Sequence, residues 1–140
     1  SYYSYDPILD KVFGQRPATY IQDIGRIIPP SIDILWTGPK VISPEITRSH
    51  LEEVSEVLRR RPFLCDNFFA NDGPKQCKFL KLKPSLGRLP DALPSSAGWA
   101  FNPMNQSALS QIVVLAAKFE FMGKKDPYSV RIIPPRRCKS

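Results

Sequence analysis

The stretch Phe63-Leu64-Cys65-Asp66-Asn67-Phe68-Phe69-Ala70-Asn71-Asp72 constrains the fold more than any other part of the chain. It opens as a short apolar run behind Pro62 and closes in amides and carboxylates. A strand of a parallel sheet flanked by helices has an apolar body, and function collects just past its carboxyl end. Asp66, Asn67, Asn71 and Asp72 fall there, and all can hydrogen-bond a polyhydroxyl ligand. The same residues also fit a local role, with Asn67 and Asn71 as turn formers and Asp66 capping the next segment. Spacing alone leaves both open.

Around this stretch the pattern alternates strand and helix. Asp6-Pro7 predicts the start of a short helix with Ile8, Leu9 and Val12 as its apolar stripe and Gly14 as its stop. A second helix follows Pro17 and ends by Gly25, with Pro29-Pro30 barring continuation. Ile32 to Trp36 reads as a strand closed by Thr37-Gly38-Pro39, and Ser49-x-x-Glu52 as the capping box of a third helix. Leu51, Val54, Val57 and Leu58 form the face of that helix, and Arg59-Arg60-Arg61 lie at the negative end of its dipole. Phe63 to Cys65 is the second strand. Gly98 to Phe101 is the third, after a long loop with one short helical or strand turn. A helix with Leu109, Ile112, Val113 and Ala116 facing a core comes next. Repeated strand–helix units predict an α/β fold with a parallel sheet, and three such strands are too few to close a barrel.

A net charge of +7 suggests a polyanion partner until it is located. Residues 118–140 hold seven Lys or Arg against two acids, so the excess is mostly a property of the tail. That predicts a solvated tail and no nucleic-acid partner. No apolar run is long enough to span a bilayer and none near Ser1 resembles a signal segment, so no membrane partner and a cytoplasmic setting are expected. Cys65, Cys77 and Cys138 lack metal-ligand spacing, and Cys65 reads as a small buried hydrophobe. His50, the one histidine, is expected to be solvated at a helix start. Neither a metal nor another cofactor is expected. Arg26-Ile27-Ile28-Pro29-Pro30 recurs as Arg131-Ile132-Ile133-Pro134-Pro135, a match too short to define a repeat architecture.

Three motifs in order resemble the catalytic domain of glycoside hydrolase family 84, the O-GlcNAcases and hyaluronidase-like β-N-acetylglucosaminidases. They are Ile34-Leu35-Trp36-Thr37-Gly38-Pro39, the stretch from Asp66-Asn67 to Asn71-Asp72, and Asn102-Pro103-Met104. Tyr2-Tyr3 followed by Asp6-Pro7 is similar to bacterial members. The resemblance covers roughly residues 1–118 and implies the carboxyl-terminal half of a (β/α)8 TIM barrel, with residues 119–140 a basic tail outside it.

The implied activity is removal of terminal N-acetylglucosamine from a glycan or glycoprotein. In this family the substrate's acetamido oxygen attacks the anomeric carbon to give an oxazoline, assisted by two adjacent aspartates. No two aspartates are adjacent here, and the resemblance places that pair ahead of Ser1, so no catalytic residue is expected in this chain. What it implies instead is a sugar-binding wall. Tyr3 would donate to the acetamido oxygen, Asn67 would bridge the acetamido group and the acid, and Asp72 and Asn102 would bind hydroxyls at the far rim. Cys65 stands where the family commonly has a tryptophan walling the acetamido pocket. The competing expectation is a non-enzymatic remnant, a lectin-like or interaction protein derived from the barrel. Open strand edges in either case predict self-association.

Overall fold

A computed structural model describes residues 8–15, 17–82, 87, 88 and 90–124. Its frame is a parallel sheet of β1 (Leu35–Trp36), β2 (Phe63–Asp66) and β3 (Gly98–Phe101) in that spatial order. Phe63 registers with Leu35 on one side and Gly98 on the other. Helices α1 (Ile8–Phe13) and α2 (Tyr20–Ile27) precede β1, α3 (Arg48–Leu58) joins β1 to β2, and α4 (Ser107–Phe121) follows β3. The β2–β3 connection carries two 3-10 turns, Gln76–Lys78 and Pro90–Ser95, where the sequence predicted one short turn.

The faces of the sheet differ. Along β2, Leu64 and Asp66 are wholly buried while Phe63 and Cys65 are half-buried, the alternation a pleated strand imposes. Leu64 joins Ile21, Trp36, Ile46, Leu51, Val54, Leu58 and Ala92 in one core cluster, under α2 and α3. Phe69, Met104, Val113 and Ala117 make a second cluster beneath α4. On the opposite face Leu35 is 46% exposed, and Ala100, level with Cys65, is also exposed. Helices clad one side of the sheet, and among the described residues the other is bare.

Several local expectations shift by a few residues. Helix α2 does not end at Gly25 but runs to Ile27, because Gly25 is where α2 crosses α3. A Cβ there would lie 2.5 Å from the Val57 carbonyl oxygen, so the absent side chain permits the close crossing. Strand β1 is Leu35–Trp36, shorter than Ile32–Trp36, since Ile32 N–H closes a turn onto Pro29 O and leaves the sheet. Helix α3 starts at Arg48. Its cap is Thr47 paired with His50, not Ser49 with Glu52: Thr47 Oγ1 accepts from His50 N–H, and His50 Nδ1 accepts from Thr47 N–H. His50 is therefore half-buried and engaged rather than simply solvated. In α4, Val113, Ala116 and Ala117 are buried, but Ser110 occupies the inward position and Ile112 is 43% exposed. Two of the expected stripe residues of α1 face solvent, Ile8 being 56% and Val12 66% exposed, and neither joins a core cluster.

Arg59 ends α3 in the left-handed conformation (φ 55°). Arg60 does not serve its own helix end alone. Its guanidinium donates to the carbonyl oxygens of Gly25, Ile28, Pro29 and Ile32, at and beyond the end of α2. Arg61 donates to Pro94 O at 3.0 Å.

At the centre, Asp66 meets Arg88. Nε and Nη2 of Arg88 donate to the two carboxylate oxygens at 2.7 Å each, with both side chains at most 2% exposed. Arg88 also donates to Ser43 O and Pro44 O, and Asp66 also accepts from Phe68 N–H and the Trp99 indole. Removing one partner strands a buried charge. Arg88→Met should therefore lose about 3–5 kcal/mol in urea denaturation, with Asp66→Asn also strongly destabilising. A loss under about 1 kcal/mol for both, the scale of an exposed pair, would show that the pair is solvated.

Candidate functional site

Strand alternation turns Asp66 into the protein and Asn67 toward the carboxyl-terminal rim of the sheet. Asn67 is half-buried and held on both sides. Its Nδ2 donates to Val41 O at 2.8 Å, in the loop after β1, and its Oδ1 accepts from Asn102 Nδ2 at 3.1 Å. Asn102 is the first residue past β3, and its backbone N–H donates to Asp66 O at 2.8 Å, continuing the ladder beyond the strand. Two adjacent parallel strands thus end in two amides in contact. Asn102 is exposed, so donor and acceptor capacity remains there for a ligand.

Asp72 is also exposed, five residues beyond Asn67, and makes no side-chain hydrogen bond among the described residues. Its neighbour Asn71 has the opposite character. Asn71 is 1% exposed, donates through Nδ2 to Gln106 Oε1 at 2.8 Å and to Phe79 O, and accepts from Asn105 N–H at 2.9 Å. It ties the loop after β2 to the entry of α4. The local role weighed in the sequence holds for Asp66, which accepts from Phe68 N–H two residues on, whereas Asn71 is a long-range tie rather than a turn former. Tyr3 lies outside the described residues. The structure brings Asn67 and Asn102 together, and among the described residues Asp72 hydrogen-bonds neither.

Lys81 lies in an irregular loop, and no sequence pattern marks it. Its ammonium donates to Phe68 O at 2.7 Å and lies 5.6 Å from the centre of the Phe68 ring. Partial burial lowers its pKa below that of a free lysine, and the Asp66 and Asp72 carboxylates act in the opposite sense. No periodicity in a loop announces such a contact. Cys65, two residues before Asn67, is half-buried rather than fully enclosed. A cavity of about 340 Å³ lies elsewhere, bounded by Trp36, Pro39, His50, Glu53, Val54 and Val57, and none of the predicted site residues lines it. Among the described residues no cluster of His, Cys, Asp and Glu could hold a metal ion. At the strand ends the two amides in contact offer donors and acceptors of the kind a neutral polyhydroxyl ligand uses.

A buried amide with three partners and an exposed carboxylate with none should respond differently to truncation. Asn71→Ala is expected to cost about 1–3 kcal/mol, while Asp72→Ala stays within about 0.5 kcal/mol. Paired thermal melts check this, and equal shifts would contradict the division between a scaffold amide and a free carboxylate.

The family model described as beta-N-acetylglucosaminidase matches residues 8–131. Protein O-GlcNAcase of Rattus norvegicus and that of Mus musculus are each 42% identical to this chain over 84 residues, 60% of it but 9% of theirs. Among solved structures, a mutant Thermobaculum terrenum O-GlcNAc hydrolase superposes with a TM-score of 0.68 at 36% identity, covering 71% of this chain and 22% of that one. The structure titled CpGH84B matches with a TM-score of 0.68 at 26% identity, over 84% of this chain and 20% of its own. The chain thus spans about a fifth of those structures and less of the curated relatives. The three-stranded sheet and its helices are part of an α/β barrel of this kind.

Proposed function

The chain belongs to the beta-N-acetylglucosaminidase family, glycoside hydrolase family 84, and we propose that it contributes one wall of a site for terminal N-acetylglucosamine. The observation that carries this is the contact of Asn67 with Asn102 at the ends of neighbouring parallel strands. Ligand groups in barrels of this type come from such strand ends. In this reading Asn67, fixed by Val41 O, presents its amide to the acetamido group. Asn102 and Asp72 take hydroxyls at the far rim, and Tyr3 takes the acetamido oxygen.

The substrate class follows from the relatives, two of which are named for O-GlcNAc removal from protein. A glycan or glycoprotein carrying N-acetylglucosamine is the proposed ligand. Hydrolysis by the substrate-assisted route needs two carboxylates, and this chain has no adjacent aspartates. We therefore assign this chain sugar recognition without turnover of its own. The edges at β1 and β3 are where further strands, or a second copy, would pair. We read its setting as cytoplasmic, where Cys65 and Cys77 stay reduced.

Two measurements test the reading. The 140-residue chain should give no release from an aryl N-acetylglucosaminide, since general-acid assistance alone is worth about 10²–10⁴-fold. Titration with an oxazoline-mimicking inhibitor should show binding that Asp72→Ala weakens about tenfold to a hundredfold, the loss of about 1.5–3 kcal/mol from a charge-assisted hydrogen bond. Turnover abolished by Asp72→Ala would move this residue into catalysis. Inhibitor affinity unchanged in Asp72→Ala and Asn67→Ala would remove the site and favour a remnant without sugar recognition.

A further inference from the structure

The loop after β2 turns three large apolar side chains outward within four residues. Phe79 is 68% exposed, Leu80 49% and Leu82 46%. Lys75 and Lys78 precede them, both exposed, Lys81 stands between the leucines, and Lys83 follows in the sequence. From Gly73 to Arg88 the sequence contains no Asp or Glu. The main chain of the segment is anchored. Phe79 is extended (φ −131°, ψ 145°), its carbonyl accepts from Asn71 Nδ2, and Lys81 N–H points at Met104 Sδ at 3.2 Å. The Lys81 side chain is likewise tied down at Phe68 O. The body of the protein thus holds this backbone while Phe79, Leu80 and Leu82 remain in water.

We propose that this loop is a docking surface for an anionic phospholipid bilayer. Apolar side chains interleaved with lysines fit a membrane interface: the apolar groups dip below the headgroups and the ammoniums remain at phosphate level on their flexible stems. Charge complementarity selects the occupant. From Gly73 on, the strip carries lysines and no carboxylate, so that although Asp72 stands just before it the strip is attracted to a negatively charged leaflet, each lysine near the surface adding to the affinity. The expectation of no membrane partner follows from the lack of a spanning segment and of a signal-like segment near Ser1. Indeed no helix among the described residues is long and apolar enough to cross a bilayer. A loop that rests on the surface needs none.

The test is co-sedimentation of the 140-residue chain with vesicles of phosphatidylcholine alone and of phosphatidylcholine mixed with phosphatidylserine. Binding is expected to the mixed vesicles, weakening as salt is raised. The triple variant Phe79→Ser/Leu80→Ser/Leu82→Ser keeps every charge, including those of the basic tail, and should bind more than about tenfold more weakly. Lys75→Gln and Lys78→Gln should each cost about fivefold. Ile112→Ser, which removes an exposed apolar group on α4, should bind as the parent does. Circular dichroism checks that the triple variant folds, and the single variant Leu82→Ser replaces it if it does not. Three results would each overturn the proposal. One is absence of binding to the mixed vesicles, and another is undiminished binding by the serine variants. The third is lipid-free sedimentation in which the parent is a dimer and the serine variants are monomers, which would assign the strip to a second copy.

Discussion

The Asp66–Arg88 pair ties together parts of the chain that have no other reason to meet. One carboxylate at the end of β2 collects the guanidinium, the Phe68 N–H and the indole of Trp99 on β3. The same guanidinium reaches back to the carbonyls of Ser43 and Pro44 in the loop after β1, and it stacks over the Phe68 ring at 4.9 Å. Burying two charges is costly, and the geometry offsets that cost only because nearly every donor and acceptor is met. The bridge between Ile46 and Arg88, with Gly87 O accepting from Ile46 N–H at 2.8 Å, clamps the loops a second time. What the pair contributes is position. The loop ends that carry Val41, Asn67 and Asn102 are held relative to one another by a charge network beneath them.

A second cation organises the helix layer in the same manner. Arg60 fills carbonyls from Gly25 to Ile32, so the end of α2, the diproline turn and the entry to β1 share one donor group. Gly25 lets the two helices approach closely enough for that reach. Gly38 does the equivalent after β1. At φ +91° it turns the chain, and a Cβ there would run into Ser43, whose hydroxyl accepts from Lys40 N–H and donates to nearby carbonyls. Through this turn Val41 O comes to face Asn67.

Much of the fold was legible because it depends on local pattern. The apolar bodies of β2 and β3, the breaks at Pro62 and Gly98, and the strand–helix order follow from side-chain type and punctuation. Partnership across long separations was not. Asp66 and Arg88 are 22 residues apart, with an irregular loop between them, so nothing in the spacing pairs them. Thr47 and Ser49 are both plausible caps by residue type, and only the extended backbone at Thr47 (φ −95°, ψ 165°) decides between them. Ile112 fits a helical stripe as well as Val113 does. The stripe turns instead because Ser110 is drawn inward, where its hydroxyl donates to Met104 O at 3.1 Å. Pattern fixes which residues can be buried, and tertiary hydrogen bonds choose among them.

For the candidate site the decisive step was parity. Asp66 and Asn67 are adjacent polar residues that look interchangeable as ligands, yet a pleated strand must send them to opposite sides. The buried side receives the carboxylate, because only there can a guanidinium and an indole satisfy it away from water. The rim receives the amide, which carries no charge to neutralise and can be shared between the protein and a ligand. Exchanging the two would leave an amide unable to balance Arg88 and a carboxylate facing Val41 O. The order Asp-Asn is thus set by the scaffold before any ligand is considered. Asp72 is under no such constraint: it lies beyond the strand, in water, where a charged acceptor is stable without a hydrogen-bond donor from the protein. The strand end therefore pairs one amide held between Val41 O and Asn102 with one carboxylate left in water five residues on.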